Sequence, residues 1–457
     1  MPLLFLILLI IQIACGQKTG HSQLMDEDLT EFGSEKIINT VFTNPGEDCS
    51  TSMNISWVTP PGVRCEIEVT NEDDGFTYTY EEESLIGFDV DSEATPEDDQ
   101  YEFPYIYYCD TFNDIPSKLR DNTSVNEMHI FDKHGFELYD LEPNTEYSYR
   151  IVARNDSTNE KEYSDIYRFC TAGADSWKAA IIGDFHHYSP LWSRLESAMG
   201  MLDVIDSISG GYDWVLSTGD VAAWGGSFNF WTELSEQPNF KNYMWATVQG
   251  NHDHTSSDKI ASDDFFRDSH YFPYNGYEGQ EGVSYWFKYG DVLFLMLNNE
   301  AIRLKDGLHP ALAWIEKVVN ENPSKYIVVV EHYQWIIGTD GETSLIERFY
   351  PTFDKLGVDL AISGNNHVYL RTLPLKDKSP VEPEEGTFYV VTPSSDNSRG
   401  RDIKRLVANG DIIETRWSEG THTIGGMLMD VNPERIEMTL YDRYGEAHDS
   451  FTVPAKR

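Results

Sequence analysis

Two hydrophobic patterns follow one another along the chain. Residues 37–172 carry short runs such as MNISWVT, CEIEVT, FTYTY, YSYRIVA and DIYRFCT, which turn-forming residues separate. Runs of this length and composition, without a helical period between them, are typical of antiparallel strands. This part of the chain is therefore predicted to be a small antiparallel β-sandwich.

The pattern changes after residue 172. Continuous apolar runs now alternate with amphipathic segments, and the runs are KAAIIGD, YDWVLSTGD, YMWATVQGN, DVLFLMLNN, YIVVVEH and VDLAISGN. Such runs are typical of strands buried on both faces, and their alternation with helices predicts an α/β domain over residues 173–457. From about residue 387 strand-like runs return, and we expect them to complete a second sheet of the same domain.

The first 16 residues have the pattern of an export leader. An apolar run from Leu3 to Ile13, followed by Ala14, Cys15 and Gly16, is too short to span a bilayer and suits a signal peptide. The triplet IAC also resembles a lipoprotein cleavage site, so a lipid anchor on Cys15 stays open. We expect export, a polar tether over residues 17–36, and no membrane span in the mature chain.

The net charge of the chain limits the kinds of molecule that it can bind. The 457 residues include 34 Lys and Arg against 77 Asp and Glu, a formal net charge of -43. Such a field repels nucleic acid and anionic membranes, so no nucleic-acid binding is expected. It also repels phosphate esters, and a small phosphorylated substrate would need locally concentrated positive charge, such as bound metal.

The cysteines other than Cys15 and the glycosylation triplets provide information about the cellular compartment of the protein. In an exported chain an even number of cysteines predicts two disulfides with three possible pairings, or else buried thiols, among Cys49, Cys65, Cys109 and Cys170. Acceptor triplets for a eukaryotic secretory pathway begin at Asn54, Asn122 and Asn155.

Most apolar runs of the second part end in residues that bind metals. Five ends carry them: Asp184 with His186, Asp220, Asn251 with His252 and Asp253, His332, and His367. In open α/β sheets ligands gather beyond the carboxyl ends of the strands, where nearby glycines let the chain turn. Carboxylates brought together on one sheet would repel one another, and cations would relieve that repulsion. The pattern therefore predicts a metal site.

The order G-D-x-H, G-D, G-N-H-D, H and G-x-x-H resembles the calcineurin-like metallophosphoesterase superfamily. The preceding fibronectin-like segment and the HVYLRT stretch resemble its purple acid phosphatase-like branch. The resemblance implies an α/β fold, with a four-layer α/β/β/α core preceded by an all-β immunoglobulin/fibronectin-like sandwich. Within LEPNTEYSYRIVA, which resembles a fibronectin type III corner, a Leu and a Tyr would pack against a core Trp, here Trp57.

The resemblance also implies two metal ions, of iron, zinc or manganese. The first would be held by Asp184, His186, Asp220 and His367, and the second by Asp220, Asn251, His332 and Asn365, with Asp220 bridging them. Such pairs, about 3.5–4 Å apart, clamp a phosphoryl group and acidify a water that attacks in line.

Three further residues are assigned by the resemblance to catalysis. His252 would protonate the leaving group or stabilise the transition state, with Asp253 orienting its ring. Arg371, together with Tyr369, would shape the pocket or support the loop that carries the ligands.

Two departures from the family pattern alter these expectations. Ala223 stands where purple members have an iron-binding tyrosine, and His186 stands where they have glycine, so the first site keeps its ligand count and should be active but colourless. Asn365 stands where the family has a histidine. An amide oxygen is a weaker and harder donor, so the second metal would be held less tightly and would favour manganese, magnesium or calcium. Alternatively, Asn365 hydrogen-bonds a bound water.

The sequence thus predicts an exported, metal-dependent phosphoester hydrolase, with a preference for phosphomonoesters. Hydrolysis of phosphodiesters on the same metal core is one alternative. A non-catalytic surface protein, whose sandwich binds glycan or protein and whose metal site is residual, is another.

Overall fold

A computed structural model describes residues 37–456 apart from 60–62, 81–85, 89–104, 107–126, 129–131, 156–159, 174–175, 188–191, 224, 226–227, 258–259, 263, 304–306, 337–344, 397 and 404–411. The expected leader (1–16) and tether (17–36), with Cys15, lie outside the described residues, as do Cys109 and Asn122. None of the helices in the described ranges has the length and apolar character needed to cross a membrane.

The first part of the chain folds into two facing antiparallel sheets. One has the strand order β1-β2-β8-β5 and the other β10-β9-β3-β4, with β11 beside β9. The strands are β1 (Asn39–Pro45), β2 (Met53–Thr59), β3 (Val63–Asn71), β4 (Thr77–Tyr80), β5 (Ile86–Phe88), β8 (Asp132–Leu138), β9 (Glu146–Asn155), β10 (Lys161–Tyr163) and β11 (Tyr167–Cys170), while β6 (Tyr105–Ile106) and β7 (Glu127–Met128) pair separately.

The expected sandwich corner is present. Trp57, Leu141 and Tyr147 are buried in one hydrophobic cluster, and the Tyr147 hydroxyl accepts a hydrogen bond from the Glu142 backbone N–H at 2.9 Å. This bond back to the preceding loop is the tyrosine corner of immunoglobulin-like sandwiches. The tyrosine corner is thus present, whereas direct packing of Leu141 and Tyr147 against Trp57 stays a prediction.

The prediction of two disulfides is wrong for two of the cysteines. Cys49 and Cys65 are buried thiols, and the Cys49 Sγ lies 3.7 Å from the Met244 sulfur, in the contact between the sandwich and the α/β part. A pairing of Cys109 with Cys170 stays a prediction. Asn54 is only 3% exposed within β2, so its side chain is inaccessible to glycosylation.

The second part of the chain contains two stacked sheets. The six-stranded sheet has the order β14-β13-β12-β26-β27-β28 and the seven-stranded sheet β17-β18-β19-β20-β24-β21-β25. The strands are β12 (Trp177–Ile182), β13 (Trp214–Ser217), β14 (Met244–Thr247), β17 (Tyr285–Tyr289), β18 (Val292–Leu297), β19 (Tyr326–Glu331), β20 (Leu360–Ser363), β21 (Tyr369–Thr372), β24 (Phe388–Val391), β25 (Ile413–Trp417), β26 (Gly425–Val431), β27 (Arg435–Asp442) and β28 (Ala447–Pro454).

Helices and short hairpins complete this part. The helices are α1 (Ser193–Ser209), α2 (Phe228–Ser235), α3 (Pro238–Lys241), α4 (Asp264–Ser269), α5 (Asn299–Arg303), α6 (Leu308–Glu321) and α7 (Ile346–Leu356), with a 3₁₀ turn at Gly420–His422. The hairpins are β15 (Thr255–Ser257) with β16 (Ile260–Ser262) and β22 (Leu375–Lys376) with β23 (Ser379–Pro380).

Strand β18 shows why its sequence is apolar at every position. Phe294 faces the six-stranded sheet, where its ring lies 5.2 Å from that of Trp214. Its neighbours Leu293 and Leu295 point the other way, into a cluster with Ile315 of α6. Successive strand residues point to opposite faces, and here both faces are buried. Helix α1 packs on the outer side of the six-stranded sheet, which confirms the expected α/β/β/α layers.

The C-terminal strands divide between the two sheets. Strands β24 and β25 extend the sheet that already contains β18–β20, whereas β26–β28 extend the other sheet. The expectation that the whole segment completes a second sheet is therefore wrong in part. The chain crosses between layers because β26 pairs antiparallel with the central strand β12, a pairing far apart in sequence.

An ion pair links the two sheets beside these crossings. Arg371 of β21 donates through Nε to Asp449 Oδ2 of β28 at 2.6 Å and through a terminal nitrogen to Asp449 Oδ1 at 3.1 Å. The Tyr369 hydroxyl donates to the same carboxylate at 2.7 Å, and the guanidinium lies 4.7 Å above the Phe451 ring. Arg371 and Asp449 are both nearly buried, with side chains 9% and 8% exposed.

We predict that Asp449→Asn lowers the free energy of unfolding by about 3 kcal/mol at pH 7, because it leaves the Arg371 charge buried without its partner. Burial alone would raise the pKa of Asp449, but the hydrogen bonds from Arg371 and Tyr369 lower it below its usual range. The stabilisation is thus present above about pH 4 and disappears as the pH falls through the folded-state pKa.

Urea unfolding of wild type and Asp449→Asn at pH 7 and at pH 3 measures this effect, and the difference should shrink at the lower pH. Glu437→Gln, in an exposed pair with Arg435, is the control and should change stability by less than about 0.5 kcal/mol. Equal stability of wild type and Asp449→Asn at pH 7 would contradict the structural role.

Candidate metal centre

The metal-binding residue types converge at the junction of the two stacked sheets. Strands β12, β13 and β14 are parallel neighbours in the six-stranded sheet, and β19 and β20 are parallel neighbours in the other. Because parallel strands end at the same edge, their carboxyl ends meet there. The expectation that all five ends belong to one sheet is wrong: three come from one layer and two from the other.

Three overlapping groups of side chains have ligand atoms within 4.8 Å of one another. They are Asp184, His186 and His367; His186, Asp220 and His252; and Asp184, Asp220 and His332. Because these groups share residues, they form one continuous cluster and not separate sites. Except for the half-buried His252, their members are at most 2% exposed.

Asp220 lies between the two halves of the cluster. Its Oδ2 atom is 3.1 Å from His186 Nε2 and 3.2 Å from His332 Nε2. On the far side, His332 Nε2 is also 3.1 Å from the side-chain oxygen of Asn251. One carboxylate oxygen therefore faces both the His186 group and the His332 group, which is the placement that a bridging ligand needs.

The histidine rings are held so that one nitrogen faces the cluster. The Nδ1–H groups donate to backbone carbonyls: His332 to Thr218 at 2.7 Å, His367 to Arg399 at 2.7 Å and His252 to Ala223 at 2.8 Å. With the proton on Nδ1, the Nε2 lone pair is available for a metal or a substrate. His186 differs, because its buried Nδ1 has no hydrogen-bond partner among the described residues.

The electrostatics of the cluster fit a site for cations. Burial raises the pKa of Asp184 to about 7. Burial would also raise the pKa of Asp220, but His332 and His252 lower it well below its usual range. Conversely, burial would lower the pKa of His332, and the charge of Asp220 raises it to about 10. An ion that binds here would replace the proton of His332. Buried carboxylates with deprotonated imidazole nitrogens and amide oxygens are a ligand set that zinc, iron and manganese accept.

The backbone at the cluster is strained. The left-handed region, which is uncommon for residues other than glycine, is occupied by five of the seven expected ligands: Asp184 (φ 53°), His186 (47°), Asp220 (52°), Asn365 (67°) and His367 (57°). Such conformations persist only where the surrounding structure enforces them, and they concentrate at functional sites. Four of these five side chains, those of Asp184, His186, Asp220 and His367, lie in the cluster.

Two of the glycines beside the cluster matter because they have no side chain that would clash with the expected ligands. Gly219 has a φ of 90°, as expected for a turn. Gly250 is different: an added Cβ would lie 2.2 Å from Asp220 Oδ1, and at Gly364 it would lie 2.6 Å from Asp184 Oδ2. A side chain at either position would displace an expected ligand.

Asp253 does not orient the His252 ring, contrary to expectation. The carboxylate of Asp253 instead accepts backbone N–H groups of Asp220 at 2.7 Å, Ala222 at 2.9 Å and Gly250 at 2.8 Å. A buried carboxylate is satisfied best by several N–H donors, and the loops supply them. Asp253 therefore joins the loop that carries Asp220 to the loop that carries Asn251 and His252.

Arg371 is not part of the cluster, so the expectation that it shapes the pocket is wrong, whereas its support of the loop that carries the ligands stays a prediction. Within the described part of the chain, the hydrogen bonds of its guanidinium go to Asp449, Thr415 and the carbonyl of Thr372. The pairing of β21 with its neighbours directs the guanidinium towards β28 instead of the metal residues. Its role is to join the two sheets.

Two residues that the motif did not single out lie beside the expected ligands. The buried Gln334 accepts a hydrogen bond from the Asn365 side-chain amide at 2.5 Å, while the Asn365 backbone N–H donates to Asp184 Oδ2 at 2.9 Å. Arg399 supplies the carbonyl that holds His367. For Gln334, the signal in the sequence was its position two residues after His332.

Comparison with known proteins agrees with this geometry. Residues 178–369 match the family model of calcineurin-like phosphoesterases. The fold is similar to a purple acid phosphatase from seeds of yellow lupin (Lupinus luteus), with a TM-score of 0.69, 16% identity, and coverage of 91% of this chain and 74% of that one. It is also similar to PhoD, with a TM-score of 0.54, 11% identity, and coverage of 92% and 93%. Comparison with curated proteins gives no match.

The matched residues contain the whole buried Asp and His cluster, and together they define a phosphoester hydrolase domain in the protein. Its residues 178–369 form a calcineurin-like phosphoesterase domain.

We predict that iron-loaded protein shows no intense visible charge-transfer band, because Ala223 supplies no phenolate where purple members have tyrosine. Absorbance between 400 and 700 nm, recorded before and after reduction with dithionite, checks this expectation. A strong band that reduction changes would mean that another tyrosine binds the iron.

We also predict that the second metal binds less tightly than the first and that Asn365→His raises its affinity for Zn²⁺ by about tenfold, because imidazole is a softer donor than an amide. Calorimetric titration of the metal-free protein with Zn²⁺ and Mn²⁺ measures both steps. Asn322→His, at the end of α6, is the control and should change neither.

Asn365→Ala separates the two roles of Asn365. If the amide is a ligand, the second metal should bind much more weakly; if it only hydrogen-bonds a water, two metals should still bind. Two equal Zn²⁺ affinities in the wild type, unchanged in Asn365→His, would contradict the prediction of a weaker second site.

Proposed function

We propose that the protein is an exported phosphomonoesterase that uses a dinuclear metal centre. The observation that carries the proposal is the position of Asp220 Oδ2, which lies within 3.2 Å of His186 Nε2 and of His332 Nε2. A single carboxylate oxygen between two groups of donors suits a pair of ions that act together on one phosphoryl group.

The donors divide into two sets around Asp220. Asp184, His186 and His367 would complete the first set, and Asn251, His332 and Asn365 the second. Bound there, two ions would supply positive charge for the phosphoryl oxygens and would acidify the attacking water. Iron, zinc or manganese suits the first set, and the amide oxygens of the second set suit a harder ion such as manganese.

His252 is placed to act on the leaving group. Its Nδ1–H is held by the Ala223 carbonyl, and its backbone N–H donates to Asp220 Oδ1 at 2.8 Å. The ring is half-buried and meets the His186 ring edge to face, with centroids 4.8 Å apart. With Nδ1–H held by Ala223, the ring acts as an acid only after Nε2 has taken up a second proton from solvent. We assign it the transfer of that Nε2 proton to the oxygen of the departing alcohol as the phosphorus–oxygen bond breaks.

Support for a phosphomonoester substrate comes from the fold. The sandwich and the four-layer core together resemble the purple acid phosphatase from yellow lupin seeds. Export is proposed from the apolar run at Leu3–Ile13, and a lipid anchor on Cys15 stays an alternative within that proposal.

The test compares an aryl phosphate with an aryl phosphodiester in the presence of manganese, zinc or iron, with and without chelator. We expect turnover of the monoester, its loss on chelation, and a fall of at least about 1,000-fold in kcat for Asp220→Asn, since loss of the bridging carboxylate removes the joint action of the ions. Asp291→Asn, at an exposed position before β18, is the matched control and should keep full activity.

Each outcome of this comparison is informative. Faster hydrolysis of the diester would replace the monoesterase proposal with a phosphodiesterase. Metal binding without turnover of either ester would favour a non-catalytic surface protein.

A further inference from the structure

Residues 394–399, which follow β24, contact two of the three donors in the first set. The Ser394 hydroxyl donates to the backbone carbonyl of Asp184 at 2.7 Å. Near the other end, the backbone carbonyl of Arg399 accepts the Nδ1–H of His367, also at 2.7 Å. The segment therefore fixes the main chain at one expected ligand and the ring of another.

Arg194, at the start of α1, joins this segment to the third donor of the set. One of its terminal nitrogens donates to the backbone carbonyl of His186 at 3.3 Å. Its Nε donates to the Ser398 hydroxyl at 3.0 Å and lies 3.2 Å from Asp396 Oδ2. A guanidinium holds its donors in one rigid plane, and here those donors connect two separate loops.

Asp396 fixes the turn that leads to the carbonyl of Arg399. Its Oδ1 accepts the Ser398 N–H at 2.5 Å and the Ser398 hydroxyl at 2.8 Å. Its own N–H donates to the Ser394 hydroxyl at 3.1 Å. Because Ser398 directly precedes Arg399, the direction of the carbonyl that holds His367 depends on this turn.

The pair of Arg194 and Asp396 is buried, with side chains 6% and 0% exposed. A buried ion pair contributes little net stability, because taking two charges out of water offsets most of their attraction. Its effect here is on geometry, since the pair holds the segment 394–399 against the loop that carries His186.

The second set of donors is held by other residues. The Thr218 carbonyl accepts the Nδ1–H of His332 at 2.7 Å, and Gln334 accepts the side-chain amide of Asn365 at 2.5 Å. A change in the pair of Arg194 and Asp396 should therefore act on one half of the metal centre.

We propose that Arg194 and Asp396 are positioning residues for the first metal ion. The carbonyl that orients a ligand histidine determines how well its other nitrogen faces the metal, and this pair sets the place of that carbonyl. The first set is thereby held in a binding arrangement before the ion arrives. The inference rests on the dinuclear centre of the proposed function and adds to it two residues from outside the family motif.

The test is stepwise binding of Zn²⁺ to the metal-free protein, measured by calorimetry in competition with a chelator. Arg194→Lys keeps the charge but replaces the planar donors with a single ammonium, and Asp396→Asn removes the charge without changing the shape. Each should weaken the first step by about 10- to 100-fold, the range for losing an outer partner of a metal ligand, and change the second by less than about threefold. Asn365→His identifies the second step, because it changes only that step.

Asp359→Asn is the matched control. Asp359 is also a fully buried carboxylate beside a cation, with Lys456 Nζ at 3.3 Å, and it accepts the Ile327 N–H at 2.8 Å. It directly precedes β20, so it lies at the end of that strand away from the metal residues. The control should lower the melting temperature and leave both zinc affinities unchanged, which separates loss of stability from loss of positioning.

A milder variant covers the case in which the buried substitutions prevent folding. Ser398→Ala, at an exposed position, removes one contact of Arg194 with the segment and keeps the ion pair. It should weaken the first step by about three- to tenfold, the cost of one hydrogen bond. An unchanged first step in Ser398→Ala and in whichever buried variants fold would overturn the inference, as would equal losses in both steps.

A double substitution tests whether the pair acts as a unit. If Arg194 and Asp396 position the same carbonyl, Arg194→Lys should add little to the loss of first-step affinity in Asp396→Asn. Additive losses in a double variant that melts cooperatively would show that the two residues act separately and would contradict the proposal.

The inference and the proposed function fail in different ways. If wild type hydrolyses phosphate esters and the Arg194 and Asp396 variants bind the first ion as tightly as wild type, the function stands and the inference falls. If wild type binds two ions but hydrolyses no phosphate ester, the catalytic proposal falls, and a selective loss of first-step affinity still upholds the inference.

Discussion

The structure depends on holding two buried carboxylates, Asp184 and Asp220, side by side at the junction of two sheets. Like charges in such a place repel strongly, because little water is present to screen them. The surrounding histidines relieve part of this repulsion, and bound cations would relieve the rest. Bringing these groups together requires a strained, left-handed backbone at Asp184, His186 and Asp220. It also requires a residue without a side chain at position 250, where Gly250 lies against Asp220.

Much of the fold could be predicted from the sequence, because the apolar and polar positions within each segment show which of its faces are buried. The all-apolar β18 could only be a strand covered on both faces, and Trp57 and Tyr147 marked a sandwich corner. The assignment of strands to sheets was not readable. That β26 pairs with β12 depends on a contact between residues about 250 positions apart, for example Ala179 with Met429, and local patterns carry no information about it. For the same reason the strand ends were expected on one sheet although two sheets supply them.

At the candidate site, too, some features could be predicted from the sequence and others could not. Residues that directly follow an apolar strand were identifiable, since such ends meet at one edge of a sheet. Roles that depend on the direction of a side chain could not be predicted from the sequence. Arg371 follows His367 by only four residues, yet its side chain points to Asp449 in the other sheet. Asp253 adjoins His252 but binds the backbone of neighbouring loops. Gln334 and Arg399 enter the site through contacts with Asn365 and His367, which no spacing in the sequence predicts.

The most direct measurement of the central claim is the position of metal ions in crystals of the protein soaked with Mn²⁺ or Zn²⁺, located by anomalous scattering. The account predicts two peaks about 3.5–4 Å apart with the Asp220 carboxylate between them. A single ion, or ions bound away from Asp184, Asp220 and His332, would contradict it.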